Sequence, residues 1–156
     1  MKKHLRIALS VTLVLLVASV FADAQLKHCT EAGSVRSVTK ARSGSFETVT
    51  FEIVGNTLPD KVEIEDAKPP ITDYSDHNLH MKGPLFKEVH LNMVAWTCKI
   101  RENVGASTTT ITGVKQTEQF EGYVSYAIGY KGKSKYVGMT KTSGPKTSKV
   151  IVKFRR

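Results

Sequence analysis

The segment "DYSDHNLH", residues 73–80, gathers Asp73, Asp76, His77 and His80 within eight positions. Carboxylates and imidazoles in such a group are ligand types for Zn²⁺ and other divalent metals. His77 and His80 are three apart, a spacing that suits one face of a helix. The segment follows "KPP" and precedes a strand-like run, however, so it reads as a loop. Asp and Asn favour turns because their side chains hydrogen-bond to nearby backbone. Two readings follow: a solvated turn, or a surface metal site serving a small secreted metal-dependent hydrolase.

Other catalytic patterns are missing from the chain. There is no G-x-S-x-G elbow and no local Cys/His signature of a nucleophilic enzyme. Glu63 and Glu65 in "VEIED" share one face of a strand, beside Val62 and Ile64, and read as a solvated face. No glycine-rich loop follows a strand and opens a helix to hold phosphate. The expected protein is therefore not an enzyme and carries no cofactor.

The N-terminus indicates a compartment. "MKKHLR" is basic, "IALSVTLVLLVASVF" is a continuous apolar run, and "ADAQ" places Ala22 and Ala24 around Asp23. These are the three regions of a cleaved secretory signal. The expected signal is 1–24, with a lead over 25–33, an uncleaved N-terminal anchor being the alternative. The apolar run is short for a membrane span. Lipid attachment at Cys29 is not expected, because His28 precedes it and the apolar run ends well before it. Cys29 and Cys98 are the two cysteines. In an oxidising compartment they suggest one disulfide, closing a loop of roughly 70 residues and contributing ~4 kcal/mol in the chain-entropy model. Two free thiols are the alternative.

The chain carries a formal net charge of +9. That balance favours anionic partners such as nucleic acid, anionic lipid or acidic wall polymers. The basic residues fall in "TKAR", "YKGKSKY", "KTSGPKTSK" and "KFRR". Lys141, Lys146 and Lys149 would gather at one end of a domain if "KTSGPKTSK" joins two strands. The competing reading is solubility, with edge strands protected from pairing by lysine.

These residues need a scaffold, and the dominant period past residue 33 is two. In "FETVTFEIV" Val49, Phe51 and Ile53 share a face. The same alternation runs through "KEVHLNMV", through Val124, Tyr126, Ile128 and Tyr130, and through Val150, Val152 and Phe154. It marks strands with one buried face. Shorter strands are expected in "SVRSVTKA", "KVEIE", "LHMK", "TTTITGV" and "KYVGMT". Turn chemistry separates them in "SGS", "GNTLPD", "AKPP", "KGP", "ENVGAS", "KGKS" and "TSGP". "KGKS" reads as a hairpin turn. Tyr123 faces away from Tyr126 and Tyr130, beside Ser125, Ala127 and Gly129, whose small side chains would leave it exposed. No stripe of period 3.6 predicts a helix past the signal. The expected fold is all-β, an antiparallel β-sandwich over 34–156.

"VRSVTKARSGSFETVTFEIVGNTLPDKVEIED" resembles the opening of the AMIN-like domain of bacterial exported proteins. Val35, Val38, Ser45, Phe46, Val49, Phe51, Ile53, Gly55, Pro59 and Val62 match that pattern. "TEQFEGYVSYAIGYKGKSKYVGMT" and the closing "KVIVKF" resemble its end, through Phe120, Glu121, Gly122, Ile128, Gly129, Tyr136 and Val150 to Val152. Residues 66–82 depart from it. So does "KFRR", where the pattern has an acidic residue, and "GPKTSK" only loosely echoes its Pro-Arg. The resemblance implies a β-sandwich related to the AMIN module of cell-wall amidases, without catalytic residues. It also implies a module that binds peptidoglycan or another envelope component. With the signal pattern, the expectation is a periplasmic or extracellular domain without a membrane span once the signal is removed, whose partner is peptidoglycan, an anionic cell-wall polymer or an envelope protein and not nucleic acid. The residues expected to hold such a ligand are Tyr123, Lys131, Lys133, Lys141, Lys146 and Lys149. A structural or inhibitory domain that recognises a protein by sheet-edge pairing is the further alternative.

Overall fold

The computed structural model describes residues 30–92, 94 and 110–156. The expected signal peptide and both cysteines, Cys29 and Cys98, lie outside the described residues. Eight strands are present: β1 (Val35–Ser43), β2 (Phe46–Val54), β3 (Val62–Ala67), β4 (Leu85–Asn92), β5 (Ile111–Phe120), β6 (Tyr123–Tyr130), β7 (Lys135–Thr142) and β8 (Thr147–Arg155). Sheet A runs β1-β2-β8-β7 and sheet B runs β3-β4-β6-β5, every pair antiparallel. Among the described residues no helix is long and apolar enough to cross a membrane.

Alternating side chains build the core. Val49, Phe51 and Ile53 of β2 and Val150, Val152 and Phe154 of β8 point inward from sheet A and are buried. Val89 and Leu91 of β4 and Val124, Tyr126, Ile128 and Tyr130 of β6 face them from sheet B. Ring contacts join the sheets, with Phe51–Tyr126 centroids at 4.9 Å and Tyr130–Phe154 at 5.0 Å. Burying each such large apolar side chain stabilises the fold by about 1.5–3 kcal/mol.

Two turns follow directly from residue type. Glu121 and Gly122 join β5 to β6 with φ of 40° and 83°. Positive φ at both central residues is the two-residue hairpin turn whose twist matches its strands. Gly44, at φ 55°, serves the β1–β2 hairpin.

Several expected elements differ. "KGKS" is not a hairpin turn, because β6 pairs with β4 and β5 whereas β7 pairs with β8. Residues 131–134 carry the chain from one sheet to the other. "LHMK" is not a strand. It belongs to the long connection between β3 and β4, which folds back over the outer face of sheet B. There Ile71, Leu79 and Met81 pack with Phe86 and Ala127 in a second, smaller apolar cluster. A bridge between Thr72 and Asn78 and a hydrogen bond from Leu79 N to Ile71 O hold this flap together. Lys115 Nζ donates to Leu79 O at 2.8 Å and ties it to β5. β5 runs on to Phe120, well past the end of "TTTITGV".

The flap also explains β6. Ser125, Ala127 and Gly129 are buried although they face away from the core. A Cβ built on Gly129 would lie 2.6 Å from Thr112 Oγ1 and 2.7 Å from Lys82 O. A hydrogen atom at this position is what lets the flap close on the sheet.

Candidate functional site

The outer face of sheet B brings chemistry-bearing residues from four strands together. Glu65 of β3 lies directly opposite Glu88 of β4. His90 of β4 lies opposite Ser125 of β6. Ligand atoms of Glu65, Glu88 and His90 all fall within 4.8 Å of one another. Among the described residues, no other group of three metal-binding side chains meets that distance.

Each of the three is held by a neighbour. His90 Nδ1 is 2.9 Å from Ser125 Oγ, and the Tyr123 hydroxyl also contacts it. The two rings stack with centroids 5.6 Å apart. His90 Nε2 faces Glu65 Oε1 at 3.2 Å. Thr117 Oγ1 donates to Glu88 Oε1 at 2.6 Å. Thr117 stands where the β5–β6 register slips between Gln116 and Glu118, and a bulge of this kind re-aims a side chain. Burial pushes the Tyr123 phenol above its ordinary pKa, Ser125's hydrogen bond opposes this, and the charges of Glu118, Glu88 and Glu63 add to it.

The Glu65–His90–Ser125 chain has the connectivity of a hydrolase triad. Ser125 is 0 % exposed, and its hydroxyl meets the His90 ring from within the sheet rather than from solvent. Beside this cluster the flap and sheet enclose an open groove of about 410 Å³, lined by Glu65, Glu88, Thr117 and Glu118 on one side and Asp73 and Tyr74 on the other.

A second surface is basic. Phe46, Lys153 and Arg155 share the outer face of sheet A, and both cations lie over the ring, at 5.2 and 5.7 Å from its centroid. Lys135 pairs with Arg155 across β7–β8. Lys131 and Lys133 are exposed in the adjoining connection. Among the described residues none of these five cations forms an ion pair with a carboxylate.

A model of the AMIN-like domain matches residues 33–156. The chain belongs to the AMIN-like domain family. Membership points to a cell-wall-related module. No curated protein and no solved structure matches the chain.

In this AMIN-like domain the residues expected from sequence fall at several places. Asp73 organises the flap turn: its Oδ1 accepts from Ser75 N at 2.8 Å and His77 N at 3.0 Å, and its Oδ2 lies 3.3 Å from His77 Nδ1. The backbone hydrogen bond from His77 is the chief cause holding the Asp73 carboxyl below its ordinary pKa. Asp76 and His80 take positive φ of 60° and 48° in the same segment. Asp73, Asp76, His77 and His80 do not bring three ligand atoms within 4.8 Å. Glu63 and Glu65 share a face, but Glu63 pairs with Lys61 and Glu65 with His90.

Tyr123 is half-buried and bound to His90 rather than freely exposed. Lys131 and Lys133 lie at the Arg155 end of the domain. Lys141, Lys146 and Lys149 lie at the other end, about 20 Å away along β8 at ~3.3 Å per residue. Lys141 Nζ donates to Pro59 O at 3.2 Å, and Lys149 lies 3.9 Å from Glu52. Sequence reasoning did not single out Phe46, Lys135, Lys153 and Arg155 as a group. The signal available was the alternation of "KVIVKFRR", which puts Lys153 and Arg155 on one face.

Proposed function

We propose that this AMIN-like domain is an exported, non-enzymatic module that holds an anionic cell-wall polymer on the basic end of sheet A. The observation that carries this reading is Lys153 and Arg155 over the Phe46 ring, with Lys135 paired beside Arg155 and Lys131 and Lys133 exposed in the adjoining connection, all without carboxylate partners among the described residues. Unneutralised cations concentrated on one face create a local positive potential that attracts polyanions. Arg155 adds planar, forked donors suited to phosphate or carboxylate oxygens. The Phe46 ring gives an apolar surface against which a sugar ring packs. The signal-like pattern of residues 1–24 and the family's cell-wall association support the location.

The reading is tested by sedimenting purified protein with peptidoglycan sacculi, intact and stripped of their anionic polymers. Cosedimentation that falls on stripping supports polymer binding. Equal cosedimentation with both overturns the assignment to the anionic polymer and places the ligand in the glycan or peptide.

A further inference from the structure

We infer that Glu65, Glu88 and His90 form a binding site for a first-row divalent cation of the zinc type, on the outer face of sheet B and separate from the basic end.

The ligand set suits such an ion. Two carboxylates, which are hard donors, and one imidazole, a borderline donor, are all ligand types that Zn²⁺ accepts, and three protein ligands leave a fourth position open. An ion ~2.0–2.1 Å from each of two tetrahedral ligands holds them roughly 3.3 Å apart. His90 Nε2 and Glu65 Oε1 already stand 3.2 Å apart.

The surroundings are those of a supported ligand set rather than a loose acidic patch. Metal-bound imidazoles donate their other N–H to an oxygen that fixes the ring, and bound carboxylates are themselves hydrogen-bonded. His90 Nδ1 has Ser125 Oγ and the Tyr123 hydroxyl, and Glu88 has Thr117 Oγ1. The partners at Nδ1 are hydroxyls, which both donate and accept. They accept from Nδ1–H when Nε2 gives its lone pair to a metal, and donate to Nδ1 when Nε2–H faces Glu65. The ring therefore changes tautomer without losing a partner.

Charge supplies an independent argument. Glu65 and Glu88 are direct cross-strand neighbours, and like charges so placed repel. Among the described residues, no Lys or Arg pairs with either, although Lys61 and Lys87 find Glu63 and Asp66 on the same sheet. Among the described residues, Glu65 has only the His90 imidazole as an ion-pair partner, and Glu88 has the neutral Thr117 hydroxyl. A divalent cation removes the repulsion.

The test is isothermal titration of the full chain with Zn²⁺, with folding of each variant checked by circular dichroism. One equivalent is expected to bind, and Glu65→Gln and Glu88→Gln are each expected to weaken it at least tenfold. Thr117→Val, which leaves all three ligands, is expected to weaken it by about 10–100-fold. Asp73→Asn with His77→Gln is expected to leave it unchanged. Nitrogen-15 spectra of the His90 ring are expected to show the proton move from Nε2 to Nδ1 on adding Zn²⁺. Zn²⁺ binding that survives Glu65→Gln with Glu88→Gln, an absence of binding, or a His90 ring unaffected by saturating Zn²⁺ would each overturn the site.

Discussion

Glu47 of β2 accepts the backbone N–H of Ile111 of β5 at 3.1 Å, from a side chain only 1 % exposed. The same Oε2 accepts from Thr110 N at 3.2 Å. A charged residue thus sits on the core face of sheet A, one alternation before Val49, and fastens the start of β5 in the opposite sheet. Burial pushes the nearby Lys40 ammonium down in pKa and Glu47's charge opposes that shift.

Glu47→Ala strands two backbone donors, each at about 1–3 kcal/mol when buried and unsatisfied. Chemical denaturation should show a loss of about 2–6 kcal/mol. Glu47→Gln keeps an acceptor and should lose less. Equal stability of wild type and Glu47→Ala would show that the carboxylate does not hold β5.

Gly129→Ala places a methyl where Thr112 Oγ1 and Lys82 O already stand. Overpacking of this kind costs about 1–3 kcal/mol, and here it should lift the flap before it unfolds the sandwich. Amide exchange at Leu79, which donates to Ile71 O, should speed up while exchange in β2 and β8 stays slow. Gly44→Ala meets no neighbouring atom but carries the strain of φ 55°, about 1–2 kcal/mol, without any change in the flap.

Tyr130 and Tyr136 both have pKa values pushed above the ordinary phenol value, chiefly by burial, with the Lys87 ammonium opposing the shift. Lys87 lies 5.1 Å from the Tyr136 ring centroid. A folded pKa above the unfolded one means the contribution is full below the unfolded value near 10. It is lost as pH rises through the folded value. Thermal stability should therefore be flat in this respect at neutral pH and fall in the alkaline range. Tyr136→Phe should reduce that alkaline fall, and an unchanged fall would remove Tyr136 from the explanation.

Much of the sandwich was legible because period two reports directly on a half-buried strand. Val49, Phe51 and Ile53 needed no knowledge of their partners to be placed inward. The destination of "KGKS" was not legible, because the same turn residues serve a hairpin and a step between sheets. Glu47 was hidden because a carboxylate at a core position looks like the end of the apolar pattern. The flap over 68–84 has no period at all, and its apolar anchors, Ile71, Leu79 and Met81, are isolated in sequence. The Glu65–Glu88–His90 cluster depends on the pairing of β3 with β4, and its support on Thr117 and Ser125 from β5 and β6. Such contacts come from register, which spacing along one strand does not encode. The Asp/His group at 73–80 is dense in ligand-type residues. Proximity in sequence there builds a turn around Asp73.

The basic end of sheet A also predicts a salt response. Salt screens attraction between exposed charges, with a Debye length of about 8 Å at physiological ionic strength, so binding driven by this exposed cation group should weaken steadily as salt is added. Cosedimentation with intact sacculi should drop severalfold between low and high salt. Salt-independent binding would point instead to stacking on Phe46, tested by Phe46→Ala.

The most direct measurement compares two charge reversals in sacculus cosedimentation. One variant carries Lys135→Glu, Lys153→Glu and Arg155→Glu, and the other carries Lys141→Glu, Lys146→Glu and Lys149→Glu at the opposite end. The account predicts that the first loses binding to sacculi bearing anionic polymers while the second retains most of it, both remaining folded. Retention by the first variant, or loss confined to the second, would contradict the assignment of the polymer to the Phe46 face.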